Sequence, residues 1–371
     1  MNRKKVLLTD ICRPRQWKTI ASANLLSEGY PVYGANGKIG YHKDYTHEEP
    51  TLLITCRGAT CGTMNISEPK SYVNGNAMAL DDLSSHANIK YVFYFLVHRG
   101  FKDVISGSAQ PQITGQGLSK IKIPLPDLPT QKHIASILDK ADALRQQNRE
   151  LLNYYDELLQ SAFIEMFGDP VTNNGGWAVK KLDEIAEVVS GVAKNTGLAG
   201  DLIEVPYMRV ANVQDGTLDL REIKTIRVFK RDYEKYQLKS GDVLMTEGGD
   251  PDKLGRAAIW GEEIPDCIHQ NHIFRVRPNY QIADSEFLCS QFGSIYGKKY
   301  FLRAAKQTTG IASINMTQLK NFPVLVPPIE MQKEFKDVMN KIRRQKDILS
   351  SEIIEQDMLF NTLLAKYFIN N

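Results

Sequence analysis

The sequence predicts an α+β protein of two related globular units, each followed by a long helix, with the two helices paired as an antiparallel coiled coil about a pseudo-two-fold axis. Three observations carry this. Pro126-Asp127-Leu128-Pro129-Thr130-Gln131-Lys132 and Pro327-Pro328-Ile329-Glu330-Met331-Gln332-Lys333 open two helical segments with the same phrase, 201 residues apart. Shorter matches upstream recur in the same order. Seven-residue apolar repeats follow each phrase, and sustained heptads ask for a partner helix. The chain accordingly divides into a first unit, 1–125, a central helix, 126–169, a second unit, 170–326, and a final helix, 327–371.

The first unit begins Met1-Asn2-Arg3-Lys4-Lys5, like the basic start of an export signal, but the apolar run Val6-Leu7-Leu8 stops at Thr9-Asp10. That run is too short for export, and no stretch reaches the ~20 apolar residues of a membrane span. Five cysteines without regular spacing argue for a reducing compartment, so a cytoplasmic protein is expected. Residues 1–126 hold 15 Lys+Arg against 9 Asp+Glu, and residues 171–327 hold 20 against 19. The first unit is thus mildly basic, which suits phosphate contact, while the second is neutral, so charge alone says little about a nucleic-acid partner.

Within the units the repeat can be followed pair by pair. Leu8-Thr9-Asp10-Ile11 matches Leu182-Asp183-Glu184-Ile185 at an offset of 174, and Ala35-Asn36 matches Ala211-Asn212 at 176. Thr55-Cys56-Arg57-Gly58 meets Thr246-Glu247-Gly248-Gly249 at 191, and Val73-Asn74-Gly75-Asn76 meets Ile268-His269-Gln270-Asn271 at 195. Ile113 and Leu118 meet Ile314 and Leu319 at 201. An offset that only rises is the mark of one unit with loop insertions in its second copy, 27 residues in all. Thr51–Thr55 and Asp242–Thr246 read as buried strands running into glycine turns. Tyr91–Leu96 and Phe287–Phe292 read as helical, so each unit mixes strands with helices.

In the central helix Ile137, Leu144, Leu151 and Leu158 repeat every seven residues beside Ile134, Ala141, Tyr155 and Ala162. In the final helix the rows are Phe335, Ile342, Leu349 and Leu363, and Val338 and Leu359. Asn148, Gln345 and Gln356 are placed on these seams, where a polar residue fixes register at some cost in stability. An antiparallel pair relates the two units by a pseudo-dyad. B-form DNA has matching dyads, and two-fold readers space their reading elements about one helical turn apart.

Catalytic motifs are not legible. No Asn/Asp/Ser-Pro-Pro-aromatic motif for amino-methyl transfer is found, and no glycine-rich turn resembles an S-adenosylmethionine loop. Gly34-Ala35-Asn36-Gly37-Lys38-Ile39 lacks the spacing of a phosphate loop, and the Pro-Asp pairs lack a nuclease-like acidic-x-Lys partner. Cys56 and Cys61 with His42 and His47 are irregularly spaced for zinc, and no metal site is expected. A stand-alone DNA methyltransferase or endonuclease with an unrecognised catalytic site is the alternative reading, and a helical scaffold without DNA is a third.

The order of these phrases, with a helix after each unit, resembles the specificity subunits of Type I restriction-modification systems. Gly29–Gly37 and Leu118–Pro126 carry the resemblance in the first copy, Pro206–Gln214 and Gly241–Gly249 in the second, together with both helix openings. The resemblance implies two target-recognition domains, each reading one half of a bipartite double-stranded DNA target, with the helices setting the spacer. It implies a non-catalytic chain without a cofactor of its own. Its partners would be modification subunits binding S-adenosylmethionine and ATP- and Mg2+-dependent restriction subunits.

If the halves read different sequences, positions that agree between copies are scaffold and positions that differ within matching loops include the base readers. Asn76/Asn271, Gly58/Gly249 and Pro31/Pro206 fall in the first class. Arg57 opposite Gly248, Asn74 opposite His269, and Gly75 opposite Gln270 fall in the second. Arg bridges guanine O6 and N7, and Asn or Gln pairs adenine N6 and N7. Gln110 and Gln112, opposite Ile311 and Ser313, form a further candidate loop with Gln307, Thr308 and Thr309. Asn36, Arg209, Asn212, Gln214, Lys253 and Arg256 complete the candidate DNA-binding set. Lys38, with Lys43, Lys298, Lys299 and Lys306, suits phosphate, which positions without specifying.

Overall fold

The computed structural model describes residues 5–35, 37–107, 110–194, 200–250, 254–308 and 311–369. The chain falls into two compact units, 1–151 with 349–371, and 152–348. Each takes in one end of both long helices.

The first unit runs β1 (Lys5–Leu7), β2 (Arg13–Gln16), β3 (Tyr30–Gly34), β4 (Gly37–His42), β5 (Leu52–Thr55), β6 (Met64–Ile66), β7 (Tyr72–Val73), β8 (Ala77–Asp81), α1 (Ile89–Arg99), β9 (Ile105–Ser106), β10 (Gln112–Ile113), α2 (Gly115–Leu118), β11 (Lys122–Pro124) and the start of α3 (Leu128–Phe167). Its sheets are ordered β2-β8-β5-β6, β4-β3-β7, β1-β11 and β9-β10. The apolar run of β5 is buried along its whole length, as expected of a strand covered on both faces. Asn88 caps α1 by accepting a hydrogen bond from the Tyr91 N–H at 3.0 Å, which satisfies a helix-end donor.

The second unit follows with β12 (Ala178–Lys181), α4 (Leu182–Ile185), β13 (Ala186–Ser190), β14 (Leu202–Met208), β15 (Lys224–Phe229), α5 (Lys230–Tyr236), β16 (Val243–Thr246), β17 (Gly248–Gly249), β18 (Ala257–Ile259), β19 (Ile268–His269), β20 (Ile273–Pro278), α6 (Ser285–Gly293), α7 (Ile295–Ala304), β21 (Lys306–Thr308), β22 (Ile311–Ser313), α8 (Met316–Lys320), β23 (Pro323–Val326) and the start of α9 (Ile329–Phe368). Its sheets, β13-β20-β16-β18, β15-β14-β19, β12-β23 and β17-β22-β21, repeat those of the first unit strand for strand, with β17 added. The parallel pairings β3–β7 and β14–β19 recur as well. The extra length of the second copy lies mostly between β14 and β15, residues 209–223, with smaller additions around α5 and α7. The fold is therefore α+β with one topology used twice.

The recurring helix-opening phrase has a structural cause. The Gln131 side chain is buried, accepts from the Asn88 N–H at 2.8 Å, and donates to the His86 and Pro126 carbonyls at 2.9 and 2.8 Å. In the second unit buried Gln332 accepts from the Asp284 N–H at 2.9 Å and donates to the Ile282 and Pro327 carbonyls at 3.0 and 2.8 Å. Each amide thus ties the start of a long helix to the loop that leads into α1 or α6. Only backbone atoms are its partners.

Within each unit α3 and α9 pack antiparallel. In the first, the Arg145 guanidinium lies 4.2 Å over the Phe360 ring and donates to Asp357 at 2.6 Å, and Arg149 donates to Asp357 at 2.8 Å. In the second, Lys346 pairs with Asp156, and Phe163 and Phe167 pack against Phe335 at ring-centroid separations of 5.7 and 5.3 Å. The seam on α3 differs from the expected one. Ile134, Ala135, Leu138, Ala162 and Phe163 are buried, while Leu144, Leu151 and Leu158 are 48%, 40% and 44% exposed. The row beside Ile134 and Ala141 runs through Leu138 and Arg145 instead. Arg145 fills its place with an aliphatic stem and a stacked cation, a role that a purely apolar pattern passes over. On α9 Phe335, Ile342 and Leu349 are buried as expected, but Leu359 and Gln345 are exposed, and Met339, Ile353 and Phe360 supply the second row.

All five cysteines are free. Among the described residues no helix is long and apolar enough to cross a membrane.

Candidate nucleic-acid interface

In the first unit the strand–turn Thr55–Gly58 and the segment 110–113 lie side by side. Arg57 and Gln112 form a β-bridge, the Gly58 N–H donates to the Pro111 carbonyl at 3.2 Å, and the Ile113 N–H donates to the Cys56 carbonyl at 3.0 Å. Gly58 holds φ at +91°, the left-handed region that glycine enters without strain. On the other side of the same turn the Cys56 N–H donates to the Asn76 carbonyl at 3.1 Å. One edge thus gathers exposed Arg57, Asn76 and Gln110 with half-buried Gln112.

The second unit builds the same edge. Gly248 pairs with Ser313 as Arg57 pairs with Gln112. The Ile314 N–H donates to the Glu247 carbonyl at 2.9 Å and the Glu247 N–H to the His272 carbonyl at 3.0 Å. Strand β21, holding Gln307 and Thr308, pairs with β22 at the same edge; only its backbone is described at these two residues. Asn36, Lys253 and Thr309 lie outside the described residues.

Hydrogen bonds correct one stretch of the repeat by a single residue. Asn74 donates its N–H to the Tyr33 carbonyl at 2.8 Å, and the residue that does this in the second unit, to Met208 at 3.1 Å, is Gln270. The Ala77 N–H returns to the Asn74 carbonyl, and the Ile273 N–H to that of Gln270. The offset here is therefore 196, so Val73 corresponds to His269, Asn74 to Gln270, Gly75 to Asn271 and Asn76 to His272. The identity of Asn76 with Asn271 had set the register one residue short.

Several candidate readers are scaffold. His269 is 0% exposed at the position Val73 fills in the first unit, with Nδ1 3.0 Å from the Ile273 carbonyl. Burial pushes its pKa down to about 3, so the ring is neutral and cannot serve as a phosphate-binding cation. Buried Asn74 accepts from the Ile20 and Gly75 N–H groups and donates to the Ile20 carbonyl. Gly75 cannot carry a reader, since a Cβ there would sit 2.4 Å from the Thr19 hydroxyl. Buried Asn212 accepts from the Arg209 N–H and donates to the Asp219 and Glu222 carbonyls, and Arg209 itself donates to the Glu222 carbonyl at 3.0 Å. These two residues clamp a loop because short amides satisfy backbone groups that a loop leaves unpaired. Gln214 accepts from Arg256 at 2.8 Å, and the Arg256 carbonyl receives the Thr246 N–H, one residue before the edge. Lys38 lies 4.6 Å over the Tyr41 ring and 3.4 Å from Glu68.

The first unit also holds a relay-like Thr–His–Asp arrangement. His47 Nε2 is 2.9 Å from Asp81 and Nδ1 is 2.7 Å from the Thr46 hydroxyl. That hydroxyl already accepts from the Val73 N–H at 3.0 Å and lies 3.3 Å from the Ser71 carbonyl, so the trio fastens strands together. No group of three or more His, Cys, Asp or Glu among the described residues could hold a metal ion.

The sequence pattern described as the Type I restriction modification DNA specificity domain matches residues 2–154 and 174–356, one copy for each unit. The chain belongs to this family. Family members similar to it include the EcoprrI specificity subunit of Escherichia coli, 30% identical over 153 residues, covering 40% of this chain and 38% of that one. The StySPI specificity subunit of Salmonella potsdam is 24% identical over 328 residues, covering 84% of this chain and 68% of that one. The chain spans less than half the length of two of the relatives it matches, 43% and 38%. Its fold resembles the crystal structure of the Type I restriction-modification S subunit from M. genitalium, with a TM-score of 0.62 at 15% identity, covering 99% of this chain and 96% of that one.

Arg57 is exposed on the shared edge, and a guanidinium can bridge O6 and N7 of guanine. Arg57→Ala is expected to cost about 1–3 kcal/mol against duplexes carrying the preferred base and to relax one position. Competition binding with single-base variants measures this, and equal weakening against all duplexes would make Arg57 a phosphate contact.

Proposed function

We propose that this chain is the DNA-reading subunit of a Type I restriction-modification complex in the cytoplasm. Each unit reads one half of an asymmetric bipartite duplex target, and the lengths of α3 and α9 set the gap. Base methylation and cleavage belong to partner modification and restriction subunits, which carry S-adenosylmethionine, ATP and Mg2+, while this chain is non-catalytic.

The observation that carries the reading is one backbone edge built twice with different side chains. Arg57, Gln112 and Asn76 in the first unit stand where Gly248, Ser313 and His272 stand in the second. A reader of a palindrome needs equal side chains on equal scaffolds, whereas unequal ones suit an asymmetric target.

Co-expression with the modification subunit encoded by the same genome, followed by mapping of methylated adenines, tests this. A new two-part motif with a fixed gap is expected. No new methylation from a purified complex would overturn the reading, and methylation by this chain alone would replace it with a stand-alone enzyme.

A further inference from the structure

We infer that Asn76 and His272, equivalent positions in the two units, each decide one base pair of the half-site that their own unit reads. The inference rests on the bipartite reading above and adds to it the residues and the chemistry they select. Both side chains sit on the residue directly before a buried central strand, β8 or β20. Each residue's carbonyl is held by the N–H of Cys56 or Glu247, the residue directly after β5 or β16. The strand pairs behind them, Thr55 with Ala77 and Thr246 with Ile273, are the same. The backbone is thus fixed by the sheet in both units while the side chain is free to differ.

Asn76 is exposed, and its amide makes no hydrogen bond among the described residues. An amide presented in this way can pair with N6 and N7 of adenine in the major groove. His272 is 60% exposed, and its Nδ1 lies 2.7 Å from the Glu247 carboxylate. A carboxylate at Nδ1 makes that nitrogen the donor, so Nε2 of the neutral ring is an acceptor. The Asn271 amide nitrogen lies 3.5 Å from Nε2, at the limit of a hydrogen bond and on the acceptor side of that tautomer, and a base amino group would take its place. An acceptor at Nε2 selects a base with an exocyclic amino group facing the major groove, adenine through N6 or cytosine through N4. Glu247 therefore acts as a positioning residue for His272. Cys56, its counterpart, is buried, and its thiol donates to the Asn76 backbone carbonyl at 3.3 Å, not to the side chain.

The test uses the full chain in complex with its modification subunit, scored on duplexes carrying every single base-pair change in the mapped motif. Asn76→Ala is expected to lower discrimination at one pair of one half about ten- to hundredfold, with the other half unchanged. His272→Ala is expected to do the same in the other half, and Glu247→Gln to weaken the preference at that same pair. Thermal unfolding should be unchanged for Asn76→Ala and His272→Ala, since both sites are exposed. Unchanged mismatch profiles, or uniform loss against every duplex, would overturn the inference while leaving the bipartite reading intact. A wild-type complex without sequence discrimination would overturn both.

Discussion

Thermal unfolding of the Gln131→Leu chain is expected about 6–12 °C below that of the unaltered protein. The leucine fills the space but leaves the Asn88 N–H and the His86 and Pro126 carbonyls without the amide that satisfies them. At about 1 kcal/mol or more for each unpaired group the loss is about 3 kcal/mol, and a unit of this size loses about 2–4 °C per kcal/mol. Gln332→Leu should cost a similar amount in the second unit, where the same three kinds of partner are lost. A shift below about 2 °C for either variant would mean that water or backbone rearrangement replaces the amide. Hydrogen exchange should locate the damage at the first turn of α1 or α6, which would then open faster than the strands behind it.

Exchange of residues 170–326 for the matching unit of another specificity subunit is expected to replace one half of the methylated motif completely and leave the other half and the gap unchanged. The clamp makes such an exchange feasible. Gln332 stays with the host helix and grips only backbone atoms of the unit it receives, so it does not depend on the incoming sequence. The apolar contacts are more demanding. Phe163 and Phe167, which also meet Phe335, pack on Phe287, and an incoming unit needs a large apolar residue there. Methylome maps of the exchanged strain decide the matter, and a change in both halves would refute independent reading.

Much of this architecture was legible because the chain repeats. The rising offset between matched phrases located equivalent strands, and the Arg57/Gly248 and Gln112/Ser313 correspondences agree with the paired bridges. Two features misled. Asn76 and Asn271 are identical by coincidence of composition in a turn, and that identity hid the extra residue that aligns Asn76 with His272. The leucines at 144, 151 and 158 have perfect heptad spacing but are exposed, because the buried row is completed by Arg145 and its bond to Asp357. Polar residues posed a third difficulty. Asn74, Asn212 and His269 have the side chains of base readers and the surroundings of scaffold, and sequence alone cannot tell a bond to a base from a bond to a loop carbonyl. The clamp role of Gln131 and Gln332 was visible only as a recurring letter.

The division of the chain into units also bears on its biosynthesis. The second unit is one continuous stretch, 152–348, whereas the first is completed by 349–371. Phe360 and Leu364, synthesised after the whole of the second unit, lie in the same core as Leu52, Ile54 and Tyr91. As the polypeptide leaves the ribosome, the second unit has all its residues before the first one does, and the earlier-made strands must wait with an uncovered apolar face. A frameshift or nonsense codon shortly after position 349 therefore damages the unit encoded farthest from it, and spares the one encoded next to it.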